Sequence, residues 1–189
     1  MFSDFFKEVF FALWFFLPAG MANMIPIIVA PLPGLKKYNA PLDGGRTYRG
    51  QRIFGSHKTW RGLAAGIIIA PLVLWLQQFL VAHVGWLGSL TDQVNYADLP
   101  ILIAGPLFGL GALGGDAIES FFKRQMHIAP GKGWFPFDQT DYIIGGALAV
   151  APFVQLRISQ YIELLLLWLL VHVVASYVGF LLKLKERPI

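Results

Sequence analysis

The sequence predicts an all-α, polytopic membrane protein with about five transmembrane helices in a single domain, residues 1–189. Three observations lead to this prediction: an apolar composition, five long apolar stretches and an uneven distribution of basic residues. Apolar residues make up 56% of the 189 residues and charged residues only 14%, whereas a soluble domain carries about 25% charged residues. The chain has no cysteine, which excludes disulfides, cysteine–zinc sites and thiol catalysis.

Each predicted span approaches the roughly 20 apolar residues that a helix needs to cross the hydrocarbon core. The first contains Pro18 and Pro26, and the third runs directly into the charged segment DAIESFFKR. The fourth is short, at about 22 Å if it is helical. The first does not resemble a cleaved signal peptide, because Asp4 and Glu8 accompany Lys7. The predicted spans are 9–30, 63–84, 99–122, 142–156 and 161–182.

Basic residues are concentrated on one side of these spans. Segments 31–62 and 123–141 and the C-terminus hold 13 of the 15 Lys and Arg residues, and the other side holds only Lys7 and Arg157. Such a bias marks the cytoplasmic side. We therefore expect the N-terminus outside the cell membrane and both segments, with the C-terminus, in the cytoplasm. The net charge of +4 then needs no nucleic-acid partner. The C-terminal charges are Lys183, Lys185 and Arg187.

Two pairs of carboxylates lie in or beside the cytoplasmic segments. Asp116 and Glu119 are three residues apart, which places them on one face of a helix. Asp138 and Asp141 have the same spacing just before the fourth span. An ion pair of Glu119 with Lys123, and helix capping by Asp138 or Asp141, are the structural alternatives. Two carboxylate pairs on one side of a membrane are suited to hold divalent cations beside a phosphate substrate.

The segment before the second span is rich in glycine and basic residues. Glycine lets the backbone approach a ligand closely, and Arg and Lys bind phosphate oxygens. The segment leads into a helix N-terminus, which also favours anions. It is not a P-loop, since GxxxxGK[ST] is absent, and a loop that only contacts anionic lipids is the alternative. The basic residues are Arg46, Arg49, Arg52, Lys58 and Arg61.

Two motifs resemble those of a known superfamily. Residues 115–124 (GDAIESFFKR) followed by 138–141 (DQTD) resemble the C-terminal signature of the phosphatidate cytidylyltransferases. Residues 55–62 (GSHKTWRG) are similar to the K-T-W-R-G element of the archaeal branch, CDP-archaeol synthase. Gln139 replaces the arginine of the bacterial D-R-x-D motif, and the chain is shorter than the bacterial enzymes. The resemblance covers essentially the whole chain. Further matches to the archaeal branch are Ala22-Asn23, Pro26 and Asp43-Gly44.

The resemblance implies a membrane cytidylyltransferase that joins CTP to an isoprenoid glycerol-ether phosphate, with Mg²⁺, giving a CDP-lipid and pyrophosphate. Its partners would be CTP, the lipid phosphate, membrane lipids and a second copy in a homodimer. The expected metal ligands are Asp116, Asp138 and Asp141. The expected catalytic cations are Lys58, Arg61, Lys123 and Arg124. The expected nucleotide-binding residues are Asn23, Arg46, Arg49, His57, Thr59, Glu119 and Ser120.

Other functions fit the sequence less well. Phosphatidate is the alternative substrate, which would make the chain a CDP-diacylglycerol synthase. A CDP-lipid phosphotransferase would need a D-G-x-x-A-R run, but Arg46 follows Asp43-Gly44 too early and no matching acidic helix comes after it. A small transporter usually shows internal repeats, which are absent, and a membrane scaffold would not need four acids facing a basic glycine-rich loop.

Three polar residues within apolar stretches have structural interpretations. Asn23 is expected either to line the nucleotide cavity or to bond a carbonyl freed by Pro26. His83 and His172 are interpreted as structural or interfacial residues nearer the outer half of the membrane.

Overall fold

The computed structural model describes residues 3–183 and is mostly helical, at 69%. Lys185 and Arg187, which contribute to the predicted orientation, lie outside the described residues. Short 3₁₀ turns span Tyr96–Asp98 and Ala151–Phe153, and a hairpin pairs β1 (Thr47–Tyr48) with β2 (Gln51–Arg52). The α-helices are α1 (Asp4–Phe15), α2 (Leu17–Val29), α3 (Trp60–His83), α4 (Gly85–Leu90), α5 (Ile101–Gln125), α6 (Phe137–Val150) and α7 (Ile158–Leu181).

Helices α3, α5 and α7 are long and apolar enough to cross a membrane. Helices α1 and α2 would together form a fourth span, bent by 43°. The described residues therefore contain three or four candidate spans by length and composition, against the five predicted. Helix α6 has 14 residues, about 21 Å, which is shorter than the roughly 30 Å hydrocarbon core. The helical, membrane-embedded class agrees with the prediction, and the number of spans and their orientation stay predictions.

The predicted first span, 9–30, is two helices because of Pro18. Proline has no N–H, so the carbonyl four residues earlier, on Trp14, loses its regular helical donor. In the structure the buried side chain of Gln77 on α3 donates to the Trp14 carbonyl, and so does the backbone N–H of Phe16. These two bonds satisfy a backbone group that water cannot reach inside a bilayer. Pro26 lies within α2 without ending it.

The predicted fourth span, 142–156, begins and ends earlier in the structure. Helix α6 starts directly after its N-cap residue Pro136, so Asp138 and Asp141 lie inside the helix and neither is the capping residue. The helix ends at Val150 because Pro152 cannot continue the backbone hydrogen bonds, and the chain tightens into a 3₁₀ turn. The two acids are therefore fixed on a rigid element.

Glycines on α5 bring the neighbouring helices into backbone contact. A Cβ atom on Gly105 would lie 2.4 Å from Pro71 Cα on α3, and one on Gly109 would lie 2.5 Å from the Gly66 carbonyl oxygen. On the opposite side, a Cβ on Gly111 would lie 2.5 Å from the Gly145 carbonyl oxygen on α6. Small residues allow this close packing between helices in a membrane. These glycines of α5 therefore serve close helix packing.

Candidate active site

The contact between α5 and α6 continues to the two acidic pairs. A Cβ atom on Gly115 would lie 2.2 Å from the carbonyl oxygen of Asp141, so the backbones touch at this level. The next residue on α5 is Asp116, and it therefore lies beside Asp141 on α6. Helix α6 occupies the space beside Gly115, while the space beside Gly114 is open.

Two lysines neutralise two of the acids. Lys58 Nζ, from the loop before α3, donates to both carboxylate oxygens of Asp116 at 2.6 Å. Lys123 Nζ donates to Asp138 Oδ1 at 2.6 Å and lies 3.7 Å from Glu119 Oε1. The ion pair between Glu119 and Lys123, given above as a structural alternative, is thus present, but the shorter bond of Lys123 joins α5 to α6. We call these six residues the acid–lysine cluster: Lys58, Asp116, Glu119, Lys123, Asp138 and Asp141.

Two acids of the cluster, Glu119 and Asp141, each have a buried carboxylate oxygen without a hydrogen-bond donor among the described residues, and Asp141 also lacks a lysine partner among the described ion pairs. Its Oδ1 accepts a hydrogen bond from the backbone N–H of Tyr142 at 2.6 Å. Its Oδ2 is buried and has no hydrogen-bond donor among the described residues. A buried carboxylate oxygen without a partner is costly, and a bound cation would satisfy it.

The cluster has the donor chemistry of a magnesium site, although its acids are not gathered around one point. Across residues 3–183, no three Asp, Glu or His side chains lie close enough to hold a metal ion together. Of the expected ligands, Asp116 and Asp138 are bonded to lysines. Mg²⁺ binds one or two carboxylates together with substrate phosphates and water, so the carboxylates and the unpartnered oxygen of Asp141 fit it.

Asp43 organises the loop that carries Lys58. Its side chain is fully buried and accepts hydrogen bonds from Arg52 and from the backbone N–H groups of Gly45, Phe54 and Gly55. Burial opposes ionisation, but these hydrogen bonds outweigh it and hold the pKa of Asp43 below its usual range. The hydrogen bonds to the Asp43 carboxylate therefore order this loop. The path of its backbone is not predicted by the sequence alone.

The hairpin in this loop rests on α5. Its two central residues, Arg49 and Gly50, both have positive φ, at 51° and 79°, as a two-residue hairpin turn requires. The ring of Tyr48 lies 6.0 Å, centroid to centroid, from that of Phe121 on α5. This contact holds the hairpin beside the part of α5 that carries the acids.

Two adjoining cavities reach the acid–lysine cluster, and Lys58, Asp116 and Asp138 line both. The large cavity has a volume of about 810 Å³ and the small cavity about 270 Å³. Two further predicted residues, Asn23 and Thr59, line the small cavity. The predicted residues along the large cavity are His57, Lys58, Asp116, Glu119, Ser120, Lys123, Arg124 and Asp138.

Three predicted cations lie away from both cavities. Arg61 donates to the Leu35 carbonyl at 2.9 Å and to Asn39 Oδ1 at 3.3 Å, so it anchors the start of the loop. Arg46 and Arg49 are exposed on the hairpin, and the Arg49 guanidinium stacks 5.4 Å from the ring centroid of Tyr48. Thr59 caps α3 through a hydrogen bond from the Gly62 N–H.

Comparison with known proteins identifies the family. A family model described as CarS-like, CDP-archaeol synthase, matches residues 5–189. The chain belongs to the CDP-archaeol synthase family. The predicted family is confirmed, and the protein is a CTP-dependent cytidylyltransferase of the membrane. The comparisons do not favour a phosphatidate-specific enzyme or a transporter.

Individual relatives cover nearly the full length of the chain. The CDP-archaeol synthase of Thermococcus kodakarensis is 33% identical over 183 residues, 96% of this chain and 97% of the relative. The CDP-archaeol synthase of Pyrococcus furiosus is 32% identical over 178 residues, 94% of this chain and 96% of the relative. A solved structure described as an intramembrane enzyme for archaeal membrane lipid biosynthesis is 28% identical, with a TM-score of 0.67. It matches 87% of this chain and 92% of its own.

Two residues that the motifs do not predict also line the cavities. Lys132 lines the large cavity, and His172 lines the small cavity together with Asp116 and Asp138. His172 was expected to be structural or interfacial in the outer half. The signal for it is a repeat of four residues on α7, which places His172 on the same face as the buried Leu164 and Trp168.

Proposed function

We propose that CTP and an isoprenoid glycerol-ether phosphate react at the acid–lysine cluster. An oxygen of the lipid phosphate attacks the α-phosphorus of CTP and forms a new P–O bond. The bond from that phosphorus to the oxygen bridging the α- and β-phosphates breaks, and pyrophosphate leaves with the bonding electron pair. A phosphate monoester is already ionised near neutral pH, so the protein needs to supply neither a nucleophile nor a base.

The observation that supports this proposal is the meeting of Lys58 and Lys123 with Asp116 and Asp138 beside the large cavity. Phosphate groups compete with the aspartates for the two lysine ammonium groups. Lysines held at a fixed place oppose the negative charge that builds on the leaving pyrophosphate. Arg124 lines the same cavity, and its buried Nε has no acceptor among the described residues, so it is available to a phosphate oxygen.

Asp116, Asp138 and Asp141 would hold Mg²⁺. The ion would supply positive charge at the α- and β-phosphates. Arg61 has a different part from the one first expected: through Leu35 and Asn39 it fixes the loop from which Lys58 reaches the cluster.

The cluster is proposed to face the cytoplasm, where CTP is made. The support is the concentration of basic residues in the two segments that supply its side chains. Assembly as a homodimer stays a prediction, which cross-linking of the purified protein in detergent would test.

The test is release of pyrophosphate by the purified protein. The reaction contains Mg²⁺, CTP and either an unsaturated archaeal-type ether phosphate or phosphatidate, with ATP and GTP as nucleotide controls. We expect pyrophosphate with CTP and the ether lipid, and loss of the product when EDTA removes Mg²⁺. Folded, monodisperse protein that releases no pyrophosphate with any pair would overturn the proposed reaction. Activity that persists in EDTA would show that the reaction does not need Mg²⁺.

A further inference from the structure

A third cavity lies at the end of α3 that is remote from the acid–lysine cluster. Lys58 of the cluster comes just before the first residue of α3, Trp60, whereas this cavity is lined by the last turns of α3 and by the segment that follows it. The 24 residues of α3 span about 36 Å, so the two sites lie at opposite ends of a candidate membrane span. We call this third cavity the far cavity. It has a volume of about 590 Å³, and its lining includes Trp75, Gln78, Phe79, Asp92, Asn95 and Tyr96.

Two polar side chains of the far cavity use their amide nitrogens to hold the protein together. Gln78 Nε2 donates to the carbonyls of Tyr96 and Leu99 at 2.6 and 2.7 Å, and Asn95 Nδ2 donates to Asp98 Oδ2 at 2.7 Å. Because a carbonyl oxygen can only accept, the first two bonds fix how the amide of Gln78 is turned. The Oε1 atom of Gln78 takes no part in them and remains an acceptor for a ligand in the cavity.

Asp92 gives the far cavity a second acceptor, and this one is negatively charged. Its side chain is 60% exposed, and the ion pair that it forms with Lys7 of α1 is long, at 3.6 Å. An exposed ion pair of this kind contributes little, so the carboxylate can still accept hydrogen bonds from a ligand. Among the described residues, no lysine, arginine or histidine lines the far cavity. The cavity therefore suits a ligand that donates hydrogen bonds, and it does not suit a nucleotide or another polyanion.

The far cavity also has an aromatic edge. Trp75 and Phe79 line it, are 55% and 48% exposed, and stack with their ring centroids 6.1 Å apart. Both lie near the end of a candidate span, where aromatic side chains are enriched because they suit the boundary between hydrocarbon and headgroups. Exposed aromatic rings beside hydrogen-bond acceptors match an amphipathic ligand. In a membrane protein, such a ligand is available in the bilayer itself.

We propose that the far cavity binds a membrane lipid whose headgroup donates hydrogen bonds, through either an ammonium group or hydroxyl groups. The Asp92 carboxylate and Gln78 Oε1 accept these bonds, and the apolar chains of the lipid lie along Trp75 and Phe79. The lipid takes no part in the reaction, which is proposed at the other end of α3. Its headgroup joins α3 to segment 84–99, because Gln78 belongs to the helix and Asp92 to the segment. The bound lipid therefore stabilises this end of the protein.

The first experiment measures lipid binding to the purified protein by native mass spectrometry in detergent. The probes are phosphatidylethanolamine, phosphatidylglycerol and phosphatidylcholine with identical acyl chains. The ethanolamine and glycerol headgroups carry N–H or O–H donors, whereas the choline headgroup is cationic but has none. At least one donor-bearing lipid should bind about tenfold or more tightly than the choline lipid, the effect of one hydrogen bond to a charged group. The tighter of the two identifies the ammonium or the hydroxyl group as the donor, and equal binding of all three lipids would overturn the proposal.

The ion pair between Lys7 and Asp92 offers a matched pair of variants. Asp92→Ala removes the carboxylate and should weaken binding of the preferred lipid about tenfold, while binding of the choline lipid changes little. Lys7→Ala breaks the same ion pair but keeps the carboxylate, so it should leave the preferred lipid bound as tightly as in the wild type, or more tightly. Equal losses of binding in the two variants would assign the effect to the ion pair and overturn the proposal.

A third variant fills the far cavity without removing a hydrogen bond. Ala82 is exposed and lines the cavity, so Ala82→Trp should abolish the preference for the donor-bearing lipid. Ile103→Trp is its control, because Ile103 is 52% exposed and lines none of the three cavities. Wild-type lipid preference in Ala82→Trp would overturn the proposal. Pyrophosphate release by Asp92→Ala and Ala82→Trp should equal that of the wild type, so the test of the far cavity is independent of the test of the proposed reaction.

Discussion

At the scale of single residues, the acid–lysine cluster has more negative than positive groups. Four carboxylates face two lysines, and one buried oxygen of Asp141 has no donor among residues 3–183. Such an excess is tolerated near a membrane where a cation or a substrate completes the charge balance. The excess of carboxylates supports the proposal that the cluster binds a cation and a substrate, and on that proposal its members should be sensitive to conservative substitutions.

Asp141→Asn should lower kcat by at least about 100-fold, the cost of removing one fixed electrostatic contact from a transition state. The shape of the side chain is kept, so the protein should stay monodisperse in detergent. Pyrophosphate release is the measurement. Asp4→Asn, an exposed substitution in the first turn of α1, is the control and should keep wild-type activity. Full activity of Asp141→Asn would remove this residue from the proposed metal ligands.

Lys58→Ala should raise the KM for CTP or lower kcat, because the ammonium group proposed to hold a phosphate is lost. It also leaves Asp116 without its 2.6 Å partner. The control is Lys36→Ala, which removes an exposed lysine from the same segment. Equal kinetic constants for the two variants would contradict a role of Lys58 in phosphate binding. The basic residues of the loop would then be explained by membrane orientation alone.

Asp43→Asn should loosen the loop without touching a substrate. The charge-assisted bond from Arg52 is worth about 1.5–3 kcal/mol, so trypsin should cleave at Arg46, Arg49 and Arg52 about tenfold faster or more. Since the pKa of Asp43 is lowered, its stabilisation is fully present above its unfolded pKa of about 3.9 and declines as the pH falls below that value. Asp4→Asn serves again as the control. Unchanged cleavage rates would contradict the organising role of Asp43.

At the scale of elements, α5 and α6 form one closely packed unit because glycine lets their backbones touch. Gly111, Gly115 and Gly145 each lack the space for a Cβ atom. The acids on the two helices are thus positioned by backbone contact, which is more rigid than contact through long side chains.

Two neighbouring glycines of α5 provide a matched test of this arrangement. Gly115→Ala should lower the stability by about 1–3 kcal/mol through overpacking, because its Cβ would meet the Asp141 carbonyl. Gly114→Ala has open space around its Cβ and should stabilise the helix by up to about 1 kcal/mol. Thermal unfolding in detergent measures both. Similar shifts of the same sign would show that α5 and α6 are not held by this contact.

The sequence predicts most of the helices but not their ends. Apolar length places α3, α5 and α7 correctly because a membrane span is a strong, local signal. Apolar length does not predict that Gln77 donates a hydrogen bond to the Trp14 carbonyl, which Pro18 leaves without its helical donor. Nor does it predict that α6 begins early enough to include Asp138. Both features depend on contacts between residues far apart in the chain, and composition carries no information about such contacts.

At the scale of the whole molecule, the candidate site brings together segments that are far apart in the chain. From the sequence, these segments could be predicted only to lie on the same side of the membrane. The motifs predicted ten of the residues that line the two cavities, since chemistry limits which side chains bind phosphate and metal. They did not predict that Arg61 would anchor a loop or that His172 would reach the site from α7. The first role depends on hydrogen bonds from Arg61 to Leu35 and Asn39 and the second on the packing of α7, and no motif encodes either.

The orientation of the molecule can be tested because the chain has no cysteine. Ser89→Cys lies on α4 and Thr47→Cys on the hairpin, and both positions are exposed. A thiol reagent that cannot cross membranes should label Ser89→Cys on intact cells and should label Thr47→Cys only after the cells are opened. The reverse pattern would contradict a cytoplasmic site. The unmodified protein is the control for background labelling.

The hairpin turn also has a practical consequence. A chain of 21.0 kDa that is largely surrounded by detergent gives a particle too small and smooth for its views to be aligned in electron cryo-microscopy. Arg49 and Gly50 are exposed, and nothing lies within 4 Å of where a Gly50 Cβ would be, while Asp43 fixes the strands below them. An epitope inserted at this turn would carry an antibody fragment rigidly on the substrate side, and the added mass would mark that side in every image.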